Sequence, residues 1–253
     1  LQPKDQLRVH VTEKKTSDQI VPVPMDLSVV FEDEHVLVID KPAGMPVHPS
    51  QGHYENTLAN GIAWYYRNEA TPFVFRAVNR LDRDTSGLVL LAKNPYSSCV
   101  LSDAVKDHTI HREYAAIVSG KTDASGTIDL PIARKDGSTI ERVCDPERGE
   151  TAVTHYRTFA YNKDADISFI RLLLETGRTH QIRVHMKAIG HPLPGDFLYC
   201  PDYRFIDRQP LHSTYLRFSH PVTGEKLEFS ASLPEDMRKL FPDIKNPSGP
   251  VFF

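Results

Sequence analysis

Cysteine is scarce in this chain, with Cys99, Cys144 and Cys200 the only three in 253 residues. They are far apart and odd in number. That excludes a disulfide framework and a zinc-binding spacing, and it points to the reducing cytoplasm. Long apolar runs are missing too: none exceeds about six residues, whereas a membrane-spanning helix needs about 20. Leu1–Lys15 is mixed and charged, unlike an apolar secretory signal. There is no glycine-rich nucleotide loop and no internal repeat. Nor is there an excess of positive charge. The 30 Lys and Arg residues face 33 Asp and Glu, for a net charge of −3, so the basic composition usual in nucleic-acid binders is lacking. A net charge is an average, however, and a local cleft is what meets phosphate. Candidates for such a cleft are Lys41, Arg80, Arg83, Arg112, Arg134, Lys135, Arg142, Arg178, Arg183 and Lys187.

What is present is ordinary for a globular protein: 40% apolar and 25% charged residues. The length fits one large domain, or one domain with an appendage. Residues 1–24 read as that appendage, a single strand within 1–11 followed by a polar linker, and 25–253 as the main domain. A hairpin is expected from Val29–Phe31 and Val36–Ile39, and a helix from Thr57 to Ala70. Leu88–Ala92 reads as a buried strand, and Asn94-Pro95 opens a helix that runs to Lys106. Further strands are expected at 112–118, 152–159 and 167–174, with an irregular excursion over 130–150 between them. Thr179 is the expected cap of a short helix that ends at Ile189, before Gly190. A hairpin of 215–218 with 227–229 and a closing helix over 234–240 complete the pattern. Hairpins outnumber strand–helix–strand units, which predicts an α+β fold: a largely antiparallel mixed sheet flanked by helices and loops.

The densest chemistry is Asn79-Arg80-Leu81-Asp82-Arg83-Asp84-Thr85-Ser86-Gly87, set directly before the buried strand. Asp84-Thr85-Ser86-Gly87 reads as a turn whose side-chain oxygens cap backbone amides. That gives Asp84 a structural task and leaves Asp82 as the candidate catalytic carboxylate. A second site-bearing segment is Glu175-Thr176-Gly177-Arg178-Thr179-His180-Gln181-Ile182-Arg183-Val184-His185, between a central strand and a helix start. Arg178 and Arg183 add fixed positive charge there. His180 and His185 are five residues apart, which aligns them on neither a helix nor a strand, so they make a poor metal-chelating pair. Tyr114, flanked by small residues on a strand, has room to face a cavity. One Asp-Thr-Ser-Gly run does not make an aspartic protease, which needs two such turns.

Taken in order, these segments resemble the RluA-type pseudouridine synthase family over roughly residues 29–237. The resemblance rests on Val36–Gly44 with its Lys41-Pro42-Ala43-Gly44 turn, on Arg80-Leu81-Asp82 through Thr85-Ser86-Gly87, and on the strand of Tyr114. It continues through Gly177–His185, Gly190-His191-Pro192, Gly195-Asp196, Leu211-His212 and His220-Pro221. Asn79 stands where the family usually has His, and Arg112 where Lys is common. The resemblance implies that specific uridines of rRNA or tRNA are isomerised to pseudouridine through an essential aspartate, Asp82. No metal, redox cofactor or ATP is implied. Arg183 would pair with Asp82, and Tyr114 would stack on the uracil and assist in removing the final proton. Arg80, Thr85, Arg178 and Leu211 would contact the RNA, with Arg80 filling the space the flipped base leaves. The implied partner is structured RNA, and the implied form is a cytoplasmic monomer that binds neither membrane nor metal. Residues 1–11 resemble the last strand of the small RNA-binding module that the family often carries ahead of its catalytic domain. Two other readings stay open: a glycosidic hydrolase using Asp82 and Asp84 as a carboxylate pair, and a non-catalytic RNA binder of the same fold.

Overall fold

A computed structural model of the chain describes residues 2, 17, 20–50, 52–68, 73–244 and 249–252. The strand expected within residues 1–11 and most of the linker lie outside them. Residues 20–24 carry neither helix nor strand.

The apolar runs form the middle of one large sheet. β2 (Val36–Lys41), β3 (Ser86–Ala92) and β4 (His111–Ser119) are buried almost end to end, and both of their faces are covered. Alternate residues divide between two layers, as the twofold period of a strand requires. Leu37, Ile39, Val89, Leu91, Tyr114 and Ala116 join one core with Leu58 and Ile62 of α1 (Leu58–Tyr65) and Ile182 and Met186 of α3 (Gln181–Ala188). On the other face, Val36, Val38, Leu88 and Leu90 pack on Leu101 of α2 (Pro95–Lys106). Ala115, Ile117 and Phe169 pack there on Met237 of α4 (Glu235–Leu240). Each fully buried Leu or Val contributes about 1.5–3 kcal/mol to this assembly.

The remaining strands are β1 (Ser28–Glu32), β5 (Ser125–Asp129), β8 (Val153–Asn162), β9 (Ile167–Leu174), β10 (Leu211–Ser219) and β11 (Lys226–Ser230). The sheet runs β1-β2-β3-β10-β4-β9-β8-β5, with β11 also on β10. The β3–β10 pair is parallel and all the others are antiparallel. The α+β expectation therefore holds.

Four local expectations change. The helix expected to reach Ala70 ends at Tyr65; Tyr66 is its C-cap, and the hydroxyls of Tyr65 and Tyr66 both donate to Glu32. The excursion over 130–150 contains a small second sheet, β6 (Ile132–Arg134) with β7 (Arg142–Cys144). Each of its strands has three residues, too few to show a period. β5 has no counterpart among the expected strands: its burial alternates, but Ile128 is its only large apolar residue, so the alternation leaves no hydrophobic pattern in the sequence. β10 starts at Leu211 rather than Tyr215, because its first turn is buried but polar: His212 bonds Ser86 at 2.9 Å and Thr214 donates to the Glu113 carbonyl at 3.2 Å.

The β3–β10 junction positions the chemistry. The two strands pair only at Ser86–His212 and Gly87–Ser213, then part. Gly87 has φ +107°, and a Cβ there would lie 2.2 Å from the Ser213 carbonyl oxygen, so only glycine lets the backbones approach. Residues 76–79 fill the gap where the strands diverge. The Val78 amide donates to the Leu90 carbonyl at 2.8 Å, and the Asn79 side chain bridges the Leu88 carbonyl (3.2 Å) and the Leu90 amide (2.7 Å). The chain then leaves this wedge at Arg80 and presents Asp82 beside the sheet.

Candidate active site

Asp82 sits at the start of a β-turn closed by the Thr85 amide donating to its carbonyl at 3.1 Å. The turn expected over 84–87 is therefore shifted to 82–85. Ser86 already belongs to β3, and Asp84 caps no amide; its carboxylate takes Arg83 at 2.9 and 2.8 Å instead. Lys41 holds this turn from below. It is fully buried, and its ammonium donates to the carbonyls of Pro42 (2.8 Å), Met45 (2.8 Å) and Arg83 (3.1 Å). Three acceptors match the three N–H bonds of the charged form. Burial, opposed by Asp84 and Asp82, pulls the Lys41 pKa down to about 7.

The decisive contact spans 101 residues of sequence: Arg183 Nη1 donates to Asp82 Oδ2 at 2.7 Å. Arg183 points from the first turn of α3 and is itself held from behind. Its Nε and Nη2 meet the two oxygens of Asp196 at 2.6 and 2.8 Å, and that carboxylate is fully buried. Asp196 Oδ1 also accepts the amides of Leu198 (3.0 Å) and Tyr199 (3.2 Å). Burial opposes the guanidinium charge, but Asp196 and Asp82 outweigh it and hold the Arg183 pKa above its usual range. Such a fork fixes direction as well as charge. The exposed remainder of Asp82, 28% of its side chain, faces a cavity of about 630 Å³.

All seven residues expected at the site, Arg80, Asp82, Thr85, Tyr114, Arg178, Arg183 and Leu211, line this one cavity. Tyr114 stands on β4 and is buried, which raises its phenol pKa and keeps it protonated at neutral pH. Thr85 and Leu211 are buried at the floor, and Arg80 is exposed at the mouth. Arg178 is less free than expected: it pairs with Glu150 and donates to the Thr151 carbonyl at 3.0 Å. Asp84 does not share the cavity. It lines a separate one with Lys41 and Arg208 on the other side of the turn, so Asp82 and Asp84 do not flank a common bond.

Several residues escape a reading of the sequence. The cap of α3 is His180, not Thr179; its φ is +59° and its side chain makes no cap hydrogen bond. Gln181 braces the preceding bend, accepting from Thr176 (2.8 Å) and the Arg178 amide (2.9 Å) and donating to Val153 (3.0 Å) and Thr154 (3.0 Å). The left-handed cap turns the His180 ring toward Asp82, with Nε2 3.9 Å from its carboxylate. His180 Nδ1 lies 2.8 Å from the Tyr199 hydroxyl, which already accepts the Arg142 amide at 2.9 Å. That hydroxyl keeps its own proton to donate, so the network assigns the His180 proton to Nε2, facing Asp82. Burial pulls the imidazole below its ordinary value despite Asp82, and burial pushes the Tyr199 phenol up to about 12. His185 bonds Thr154 and the Leu130 carbonyl, each at 2.9 Å. A glycine-marked motif hints at Asp196, but nothing local in the sequence pairs it with Arg183.

The geometry yields one carboxylate, aimed into a cavity large enough for a nucleobase and backed by a buried guanidinium with its own counter-ion. Comparison with known proteins bears on the family and the fold. A family model described as RNA pseudouridylate synthase matches residues 35–188. The chain is 44% identical over 241 residues to the Bacillus subtilis protein named uncharacterized RNA pseudouridine synthase YjbO, covering 95% of this chain and 84% of that one. It is 42% identical over 240 residues to ribosomal large subunit pseudouridine synthase D of Zymomonas mobilis, covering 87% and 73%. Among solved structures, human RNA pseudouridylate synthase domain containing 1 shares the fold with a TM-score of 0.68 at 23% identity, covering 88% of this chain and 97% of that one.

Proposed function

The chain belongs to the RNA pseudouridylate synthase family, isomerases that convert uridine in RNA to pseudouridine, and from that premise we propose that Asp82 is the carboxylate on which the isomerisation turns. The observation that carries this reading is the Arg183–Asp82 contact at 2.7 Å, made at the wall of a base-sized cavity. The reaction breaks the glycosidic C–N bond, turns the detached uracil, and rejoins it through C5. Arg183 sets a fixed positive charge against the Asp82 carboxylate as it engages the sugar, and Asp196 keeps the guanidinium from swinging away. Tyr114 stacks its ring on the uracil. Burial raises its phenol pKa and keeps the hydroxyl protonated, so ring contact is its main task. Arg80 fills the space vacated in the RNA, Thr85 and Leu211 shape the floor, and Arg178 meets phosphate at the rim by exchanging its bond to Glu150.

The substrate is structured RNA, with ribosomal RNA first in line, since that is the target in the printed name of a relative matched over most of its length. Residues 25–253 carry the catalytic domain, and one copy of the chain supplies the whole site, which favours a monomer. A hydrolase with a carboxylate pair has no support, because Asp84 faces elsewhere. The test is tritium release from ribosomal and transfer RNA transcribed with uridine labelled at C5. Release without free uracil, followed by mapping of the product, identifies the reaction and its position. Release of free uracil would instead mark a hydrolase.

A further inference from the structure

Three arginines are buried in the described fold: Arg112, Arg171 and Arg183. Two are neutralised within the chain. Arg171 pairs with Glu113 at 2.7 Å on the far face of β4, and Arg183 pairs with Asp82 and Asp196. Arg112 is not. Only 9% of it is exposed, its Nε is buried without a hydrogen-bond partner, and among the described residues no carboxylate lies within ion-pair distance. A guanidinium cannot shed its proton to escape the cost of burial. A lone buried cation of this kind is tolerable where its counter-ion arrives from outside.

Its position says which outside anion. Arg112 stands two residues before Tyr114 on β4, so both side chains project to the same face, and both line the cavity of Asp82. The ends of its fork lie under Gly177, where a Cβ would sit 3.3 Å from Nη1 and 3.4 Å from Nη2. Gly177 is exposed and leaves that edge of the fork uncovered. We propose that Arg112 is a phosphate seat: it takes a phosphodiester of the RNA strand next to the flipped uridine and fixes how deeply the nucleotide enters the cavity. This deepens the reading of the chain as an RNA pseudouridine synthase and rests on it. Phosphodiesters are the only anions such a substrate carries, and a fork with two free ends suits their paired oxygens.

The test is binding, read apart from turnover. In an Asp82→Asn background, the affinity for a short RNA stem–loop with uridines in its loop is measured by anisotropy over a series of salt concentrations. Arg112→Met is expected to weaken binding about tenfold and to reduce the log–log salt slope by about one, as loss of one phosphate contact requires. Gly177→Ala keeps the charge, crowds the fork, and weakens binding in the same direction. With methylphosphonate linkages in the loop, the difference between the parent protein and its Arg112→Met variant disappears. A folded Arg112→Met protein with undiminished affinity and an unchanged slope overturns the proposal, and so does a loss that persists on the methylphosphonate RNA. If Arg112→Met does not fold, Arg112→Lys on the same two RNAs reads the same contact. Wild-type protein that binds RNA but releases no tritium would sink the catalytic reading and leave the seat standing. An active wild type whose Arg112→Met variant binds equally well would do the opposite.

Discussion

Asp196 is the residue on which the charge arrangement depends most and which the sequence advertises least. It touches no part of the cavity's open side, yet both of its oxygens are spent on Arg183. Removing one partner of a buried ion pair leaves the other charge stranded. Asp196→Ala is therefore expected to cost about 3–5 kcal/mol in urea unfolding and, by letting Arg183 drift, to lower turnover about a hundredfold. Unchanged unfolding would show that Arg183 does not need its rear anchor. The Asp82–Arg183 pairing is reachable only through the family resemblance, since the residues alone show two arginines near a helix start and nothing that ties either to a carboxylate 101 positions away. Arg183 proves to be the partner, and Arg178 is bound to Glu150 instead. His180 and Tyr199 are not legible. Their roles depend on a left-handed cap and on one hydroxyl shared between distant loops, and neither leaves a periodic trace.

At the scale of elements, the junction of β3 with β10 decides where the signature segment goes. Gly87→Ala would force a Cβ against the Ser213 carbonyl at a backbone angle that L residues avoid. An expected loss of more than about 3 kcal/mol follows from the strain and the clash together. A Gly87→Ala protein as stable as wild type would mean that the strands part more easily than their packing suggests. The central strands and α2 are readable because short unbroken apolar runs and an Asn-Pro start are local signals. The failures share one cause. The first turn of β10, the small sheet of β6 and β7, and the edge strand β5 are stabilised by side-chain hydrogen bonds or by position at an edge rather than by alternating hydrophobicity. Asn79 is a related case. Its amide imitates a missing strand neighbour for Leu88 and Leu90, so it pins the wedge rather than touching the reacting groups.

At the scale of the whole molecule, a net charge of −3 coexists with a cavity ringed by arginines. RNA affinity is accordingly expected to fall steeply with salt, because the cleft rather than the average charge meets phosphate. Among the described residues no helix is long and apolar enough to cross a membrane. Acid stability should depend on His212, which is buried beside Ser86 and whose pKa burial pulls down from 6.5 to about 4. As pH falls below 6.5 the unfolded chain takes up the proton first, so stability is complete above 6.5, declines toward pH 4, and is flat below. The loss is on the order of 3 kcal/mol. His212→Gln should flatten this slope in unfolding measured from about pH 7 to 4, and an unaltered slope would exonerate His212.

The proposed catalysis turns on a single carboxylate held by Arg183 under a flipped base. It is tested most directly by comparing wild-type and Asp82→Asn proteins for tritium release from C5-labelled RNA, with RNA binding measured on the same preparations. Release by the wild type, and none by an Asp82→Asn protein that still binds RNA, is the expected result. Full turnover by Asp82→Asn would contradict the central claim.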